Sequence, residues 1–163
     1  MIKGIVFDFD GIFTDNTVLC GPMGEEFVLC SRADSLGVAR CAEAGIKLFV
    51  LSSENAPVVA TRSTKMGIKY RKGIKDKLTA LKSWLKSNDL DPHEIIYVGN
   101  DVNDCTCLEH VGIGIVTPDA HLDAVAVSDY QTLAPGGNGA VREVCDKVLN
   151  GEFENVFGGD NTS

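Results

Sequence analysis

Residues 3–15 read KGIVFDFDGIFTD, and the rest of the chain is organised around them. Gly4 through Phe7 make a short apolar run that ends in Asp8, with Asp10, Gly11, Thr14 and Asp15 following at once. An apolar strand that delivers an acid at its C-terminal end and then turns sharply places that acid in the crevice of an open α/β sheet. Two acids two residues apart can share one cation, one through its side chain and the other through its backbone carbonyl. The second side chain is then free for proton transfer. A strand ending in a solvated acidic turn fits the same stretch, so the decision falls to the sequence downstream.

Length and composition narrow the field. A chain of 163 residues holds one domain with a substantial core. With 44% hydrophobic and 23% charged residues it reads as an ordinary soluble globular protein. A net charge of −8 argues against nucleic acid or an anionic membrane as partner, and an anionic substrate would need a metal or a few placed lysines and arginines. No signal-like apolar core opens the chain and no apolar run approaches a membrane span. The six cysteines contain no CxxC pair, so reduced, mostly buried thiols in a cytoplasmic protein are expected. Cys105 and Cys107 flank a suspected site but read as packing residues.

Outward from the first strand, residues 17–19 and 26–30 read as two short strands joined at Gly21, Pro22 and Gly24. That hairpin, about residues 16–30, would sit as a small flap over the mouth of the site. Asp34 reads as the N-cap of a helix stopped by Gly45. Residues 46–51, IKLFVL, are the continuous apolar run of a strand covered on both faces, and they end in Ser52, Ser53 and Glu54. A helix over 56–66 and a minimal strand over 68–70 follow. Leu78, Leu81, Trp84 and Leu85 give helical spacing over 76–87. Residues 95–98 form the next buried strand and run into GNDVND, where a helix of about a dozen residues would begin near Asp104. Strands are expected over 112–116 and 127–130. Gly136, Gly137 and Gly139 read as a flexible link to a helix over 140–149, and 151–163 as a flexible polar tail. Alternating strand and helix predicts a three-layer, Rossmann-like parallel sheet with helices on both faces.

Polar clusters follow the strands: Asp8 with Asp10, then Ser52, a lysine near position 77, and Asn100, Asp101 and Asp104. In a parallel sheet these strand ends converge on one edge. Together they supply an attacking acid, a hydroxyl, a cation and metal-binding acids, which is what moving a phosphoryl group requires.

In DFDGIFTD, Ser52, Lys77 and GNDVND the chain resembles the haloacid dehalogenase-like phosphatases. With GEE, LSSE, KDKL, PDAH and GGNGAVREVCD it is similar, over residues 2–149, to their capless subfamily acting on phosphorylated ulosonic acids. That subfamily includes 3-deoxy-D-manno-octulosonate 8-phosphate (KDO 8-phosphate) phosphatases, nonulosonate 9-phosphate phosphatases and the C-terminal domain of some CMP-sialate synthetases. The resemblance implies a phosphatase domain over 1–150, no cap domain, Mg²⁺ as cofactor and a homotetramer with its flap hairpins packed together. It implies a place in carbohydrate biosynthesis, of lipopolysaccharide or sialic-acid-like sugars. Asp8 would be the nucleophile forming an aspartyl-phosphate, and Asp10 the acid and then the base, with its carbonyl on the metal. Ser52 and Lys77 would hold the phosphoryl group. Asp101 would complete the metal set, supported by Asn100, Asp104 and Thr14.

The family usually has Gly-Asp where this chain has Gly99-Asn100, so which of Asn100, Asp101 and Asp104 touches the metal stays open. Ser53 and Glu54, with Lys65 eleven residues on, resemble the nonulosonate branch, whose substrates are sialic-acid-like (such as KDN 9-phosphate), with KDO 8-phosphate as the alternative. The other reading of Glu54 is a helix cap, and of Lys65 a solvated side chain. Asp34 is a candidate substrate contact, Arg142 a candidate for the substrate carboxylate, and His121 either a substrate contact or a loop histidine holding backbone. A non-catalytic oligomerisation domain and a receiver-type phosphoacceptor are the readings of other classes. The first would tend to lose the acids this chain keeps, and the second carries its nucleophile on a later strand.

Overall fold

In the computed structural model, which describes residues 1–154, six parallel strands lie in the order β5-β4-β1-β6-β7-β8. They are β1 (Gly4–Phe7), β4 (Lys47–Leu51), β5 (Lys69–Arg71), β6 (Ile95–Gly99), β7 (Ile113–Val116) and β8 (Tyr130–Gln131). The first strand pairs with β4 on one side and β6 on the other, Phe7 lying opposite both Val50 and Val98. The chain therefore builds outward from β1 in one direction, crosses back and builds outward in the other. The crevice where the order reverses opens at the C-terminal end of β1, where the sequence puts Asp8.

Alternate residues of each strand feed two cores. On one face Ile5, Phe7, Ile96, Val98 and Ile115 pack against α1 (Arg32–Glu43), α2 (Pro57–Met66) and α6 (Ala140–Leu149). On the other Val6, Phe49, Leu51, Tyr97 and Val116 pack against α3 (Lys77–Ser87), α4 (Cys105–Leu108) and α5 (Leu122–Ala126). Burial on both faces is why these strands read as unbroken apolar runs. Between β1 and α1 the chain makes only the expected hairpin, β2 (Leu19–Cys20) paired antiparallel with β3 (Glu26–Phe27), shorter than the sequence suggested. Among the described residues no cap domain interrupts the fold. All six cysteines are free, and no helix among the described residues is long and apolar enough to cross a membrane.

Several expectations are corrected. Ser31, not Asp34, caps α1, its side chain accepting from the Ala33 N–H at 3.1 Å. The helix expected from Asp104 is a 3₁₀ turn followed by only Cys105–Leu108. A dozen residues would overrun β7, whose entry is fixed by Gly112 N–H donating to the Pro92 carbonyl at 2.8 Å. The strand expected over 127–130 is instead the Val127 C-cap of α5 and a bend, followed by the two-residue β8.

The glycine link is not free. A Cβ at Gly136 would lie 1.9 Å from the Gly11 carbonyl oxygen and 2.8 Å from that of Thr14. Gly137 N–H donates to the Ile12 carbonyl at 2.9 Å. Backbone thus lies on backbone, which only glycine permits, and the segment braces the underside of the 10–15 loop. Nor does a tail begin at Gly151: Phe153 is buried against Tyr130, and Glu154 pairs with the N-terminal amine at 2.9 Å. Residues 155–163 of the expected tail lie outside the described residues.

Candidate active site

The acidic turn after β1 is held by its own Thr14. The fully buried Thr14 hydroxyl accepts from Gly11 N–H and Asn16 N–H at 3.2 Å each and donates to Asp10 Oδ1 at 3.5 Å. Asp8 continues the line of β1, its N–H donating to the Val98 carbonyl at 2.8 Å. The Phe9 N–H donates to Asp8 Oδ1 at 2.7 Å. Asp76 caps α3 by accepting from the Thr79 N–H, which makes Lys77 the first helical residue and points it back at the sheet.

Lys77 is 2% exposed, and its Nζ lies 2.9 Å from Asp8 Oδ1 and 2.8 Å from Asp104 Oδ1. The wholly buried Asp104 fills its other oxygen with the N–H groups of Asn100 and Asp101, at 3.0 and 3.3 Å. Tyr97, unremarked in the sequence, donates its hydroxyl to Asp104 Oδ1 at 2.7 Å. Burial works against the Lys77 charge, but Asp8 and Asp104 outweigh it and raise its pKa above the ordinary value. Burial and then the Asp104 charge push Asp8 up to about 7, against the pull of Lys77. Asp10, half-buried, is also raised, by burial and then by the charge of Glu54, with the Thr14 hydroxyl opposing.

Three buried or half-buried carboxylates around one ammonium leave the site short of positive charge. The Asn100 carboxamide lies 3.0 Å from the Asp10 carbonyl oxygen and 3.3 Å from Asp8 Oδ2. With its nitrogen turned inward it donates to both. With its oxygen turned inward three oxygens converge, an arrangement that a hard cation stabilises. No three His, Cys, Asp or Glu side chains form a metal cluster among the described residues. The converging donors are instead a carboxylate, a backbone carbonyl and an amide, a mixture that suits Mg²⁺. The site therefore fits a divalent cation. Asp101, expected in the metal set, turns its Oδ1 to the Val102 N–H at 2.7 Å and caps the following 3₁₀ turn; Asn100 is the residue of that cluster in contact with both acids.

Two adjoining cavities open here. One, of about 180 Å³, is lined by Asp8, Asp10, Ser52, Ser53, Asn100 and Asp101 among others. Ser52 is buried beside it, its hydroxyl accepting from the Glu54 N–H at 3.2 Å, and Asn103 donates to Ser53 Oγ at 2.9 Å. The second, of about 220 Å³, runs from Asp10 and Glu54 under the hairpin, past Val18, Glu26 and Val28.

Other candidates lie elsewhere. Lys65 is exposed in the last turn of α2, about 12 Å of helix rise beyond Pro57 where that helix begins, and makes no ion pair with Glu54 within its own chain. Asp34 is 1% exposed and faces α6, accepting from the Arg142 N–H at 3.0 Å, so it caps that helix rather than lining either cavity. Burial raises its pKa to about 6. The Arg142 guanidinium pairs with Asp146 at 2.7 Å, away from the cavities of its own chain. His121 holds backbone: its Nδ1 accepts from the Asp123 N–H at 3.2 Å and its N–H donates to the Asn100 carbonyl at 2.8 Å. Burial pushes the Cys107 thiol up to about 12, which fits an inert packing residue.

Comparison with known proteins gives the arrangement a context. Residues 43–143 match the haloacid dehalogenase-like hydrolase family. The 3-deoxy-D-manno-octulosonate 8-phosphate phosphatase of Escherichia coli K12 is 32% identical over 149 residues, 91% of this chain and 79% of that protein. A crystal structure of the phosphatase of the same name from Moraxella catarrhalis, in complex with magnesium, phosphate and KDO, aligns with a TM-score of 0.89 at 34% identity. It covers 96% of this chain and 91% of that one. A HAD family hydrolase structure from Streptomyces avermitilis aligns with a TM-score of 0.89 at 40% identity, covering 93% and 87% of the two chains.

Proposed function

Because the chain belongs to the haloacid dehalogenase-like hydrolases, we propose that it is a Mg²⁺-dependent phosphatase that hydrolyses a phosphorylated ulosonic acid through an aspartyl-phosphate on Asp8. The observation that carries this reading is the buried Lys77 ammonium between Asp8 and Asp104, at 2.9 and 2.8 Å, with Asp8 and Asp10 both lining the crevice. A non-catalytic domain has no use for that buried ion cluster, which costs desolvation wherever it is not used.

Asp8 attacks phosphorus, forming a carboxylate–phosphorus bond as the bond to the sugar oxygen breaks, and Asp10 gives its proton to that oxygen. A raised pKa, from burial and from Glu54, suits Asp10 to the first task. Deprotonated, Asp10 then takes a proton from water, which attacks the phosphoaspartate and frees phosphate and Asp8. Ser52 and Lys77 hold the phosphoryl oxygens and offset their charge. When bound, Mg²⁺ supplies further neutralisation at those oxygens, with Asp8, the Asp10 carbonyl and the Asn100 side chain as its holding set.

Two substrates compete within this reading. The curated relatives favour KDO 8-phosphate. Glu54 in the wall shared by both cavities supports a nonulosonate 9-phosphate. Phosphate release measured side by side is expected to favour one by tenfold or more, about 1.4 kcal/mol in the transition state. Release from neither would overturn the proposal.

The assembly belongs to the same proposal. Leu19, Met23, Phe27 and Leu29 expose their apolar side chains along the hairpin, a patch that a partner subunit would cover. Sedimentation at micromolar concentration is expected to give a tetramer, and a monomer would remove that part of the reading. Free cysteines throughout support a cytoplasmic setting.

A further inference from the structure

Tyr97 lies in the middle of β6 with no exposed surface, on the sheet face that packs against α3 and α4. Its register partners on the flanking strands, Val6 and Gly114, carry no polar side chain, so the sheet gives its hydroxyl nothing. The partner it does have is Asp104 Oδ1, at 2.7 Å, the same oxygen that takes the Lys77 ammonium at 2.8 Å. Lys77 reaches Asp8 on its other side at 2.9 Å. A line of short contacts thus runs from β6 through Asp104 and Lys77 to Asp8. Burial and then the Asp104 charge hold the Tyr97 pKa well above the ordinary phenol value, so the hydroxyl remains a donor.

The arithmetic of donors at Asp104 gives that hydroxyl its significance. Oδ2 is filled by two backbone N–H groups, so Oδ1 has Lys77 and Tyr97 alone. Without the phenol, the charge on Oδ1 falls wholly on Lys77 and draws the ammonium toward Asp104. The groups left short are Asp8 and the phosphoryl oxygens, whose charge Lys77 offsets as transfer proceeds.

We propose that Tyr97 is a positioning residue for phosphoryl transfer: by sharing the charge of Asp104 it leaves the Lys77 ammonium available to Asp8 and to the phosphoryl group. The proposal rests on the phosphatase reading above. Its first test is Tyr97→Phe, which keeps the ring and removes only the oxygen. With Mg²⁺ and the better of the two sugar-acid phosphates, kcat is expected to fall about tenfold while KM stays within about threefold, the signature of an interaction strengthened in the transition state. Val111→Ala, which trims the same core and removes none of the hydrogen bonds to Asp104, is expected to lower the melting temperature and leave kcat in place. A Tyr97→Phe enzyme that behaves like Val111→Ala would overturn the proposal. A second variant guards against poor folding: 3-fluorotyrosine at position 97 retains the ring and a stronger donor, and should keep kcat at or above the wild-type value. A tenfold loss there would also sink it. The ¹⁵N resonance of the Lys77 ammonium, followed without substrate, separates the two readings. It should move in the Tyr97→Phe protein; an unmoved resonance refutes the positioning role whatever the substrate, whereas a moved one beside an inactive wild type counts against the phosphatase alone.

Discussion

Asp8→Asn is expected to give a folded protein that releases no measurable phosphate. The substitution is nearly isosteric, so β1 keeps its pairing with β4 and β6 and the Phe9 N–H keeps an acceptor. Stability should hold or rise for an electrostatic reason. Burial and Asp104 push the Asp8 carboxyl up to about 7, so from about pH 4 up to neutral its ionisation costs the fold stability that an amide does not, and Lys77 keeps Asp104 as its ion partner. Chemistry has no such reserve. An amide neither attacks phosphorus nor forms the phosphoaspartate, and removing a covalent nucleophile lowers turnover by at least about four orders of magnitude. Phosphate release read beside the melting temperature checks both halves. Turnover within a hundredfold of wild type would place the nucleophile elsewhere.

Asp10→Asn should slow turnover by about 10² to 10⁴, the range for losing a positioned proton donor and acceptor. The contact of its backbone carbonyl with Asn100 is untouched by the change, as is the Lys77 bridge, so substrate binding should shift little. The substrate dependence gives the sharper measurement. A sugar alkoxide needs its proton as it leaves, whereas an acidic phenol does not. An aryl phosphate should therefore lose much less in the first chemical step, read as a burst of phenol release. Equal losses on both substrates would assign Asp10 a purely structural role.

Much of this site could be read from the sequence because each motif is local. A buried parallel strand is an apolar run whatever surrounds it, and the polar residue after it falls at the sheet edge by construction, which is why Asp8, Ser52 and Asn100 declared themselves. Side-chain direction is another matter. Asp34 has the look of a helix cap and does cap one, but it is the distant α6 and not its own helix. Asn100 and Asp101 are neighbours of similar chemistry, and only their contacts distinguish them: Asn100 reaches both acids, whereas Asp101 accepts from the Val102 N–H. Tyr97 is hidden because an aromatic residue inside an apolar run is ordinary strand material, and its partner stands seven residues further on. Helix α5 has five residues, too few for a period to show.

Gly136 and Gly137 carry a consequence for how the protein comes into being. On the ribosome the strand bearing Asp8 is made long before the segment on which its loop rests. A nascent chain long enough to hold Asp8, Ser52, Lys77 and Asn100 still has an acidic turn with nothing beneath it. The loop carrying Asp10 is braced only when α6 docks and carries the glycine segment into place, so a site built on that loop is completed after the sheet strands that deliver its acids. The order of the residues along the chain thus acts as a clock.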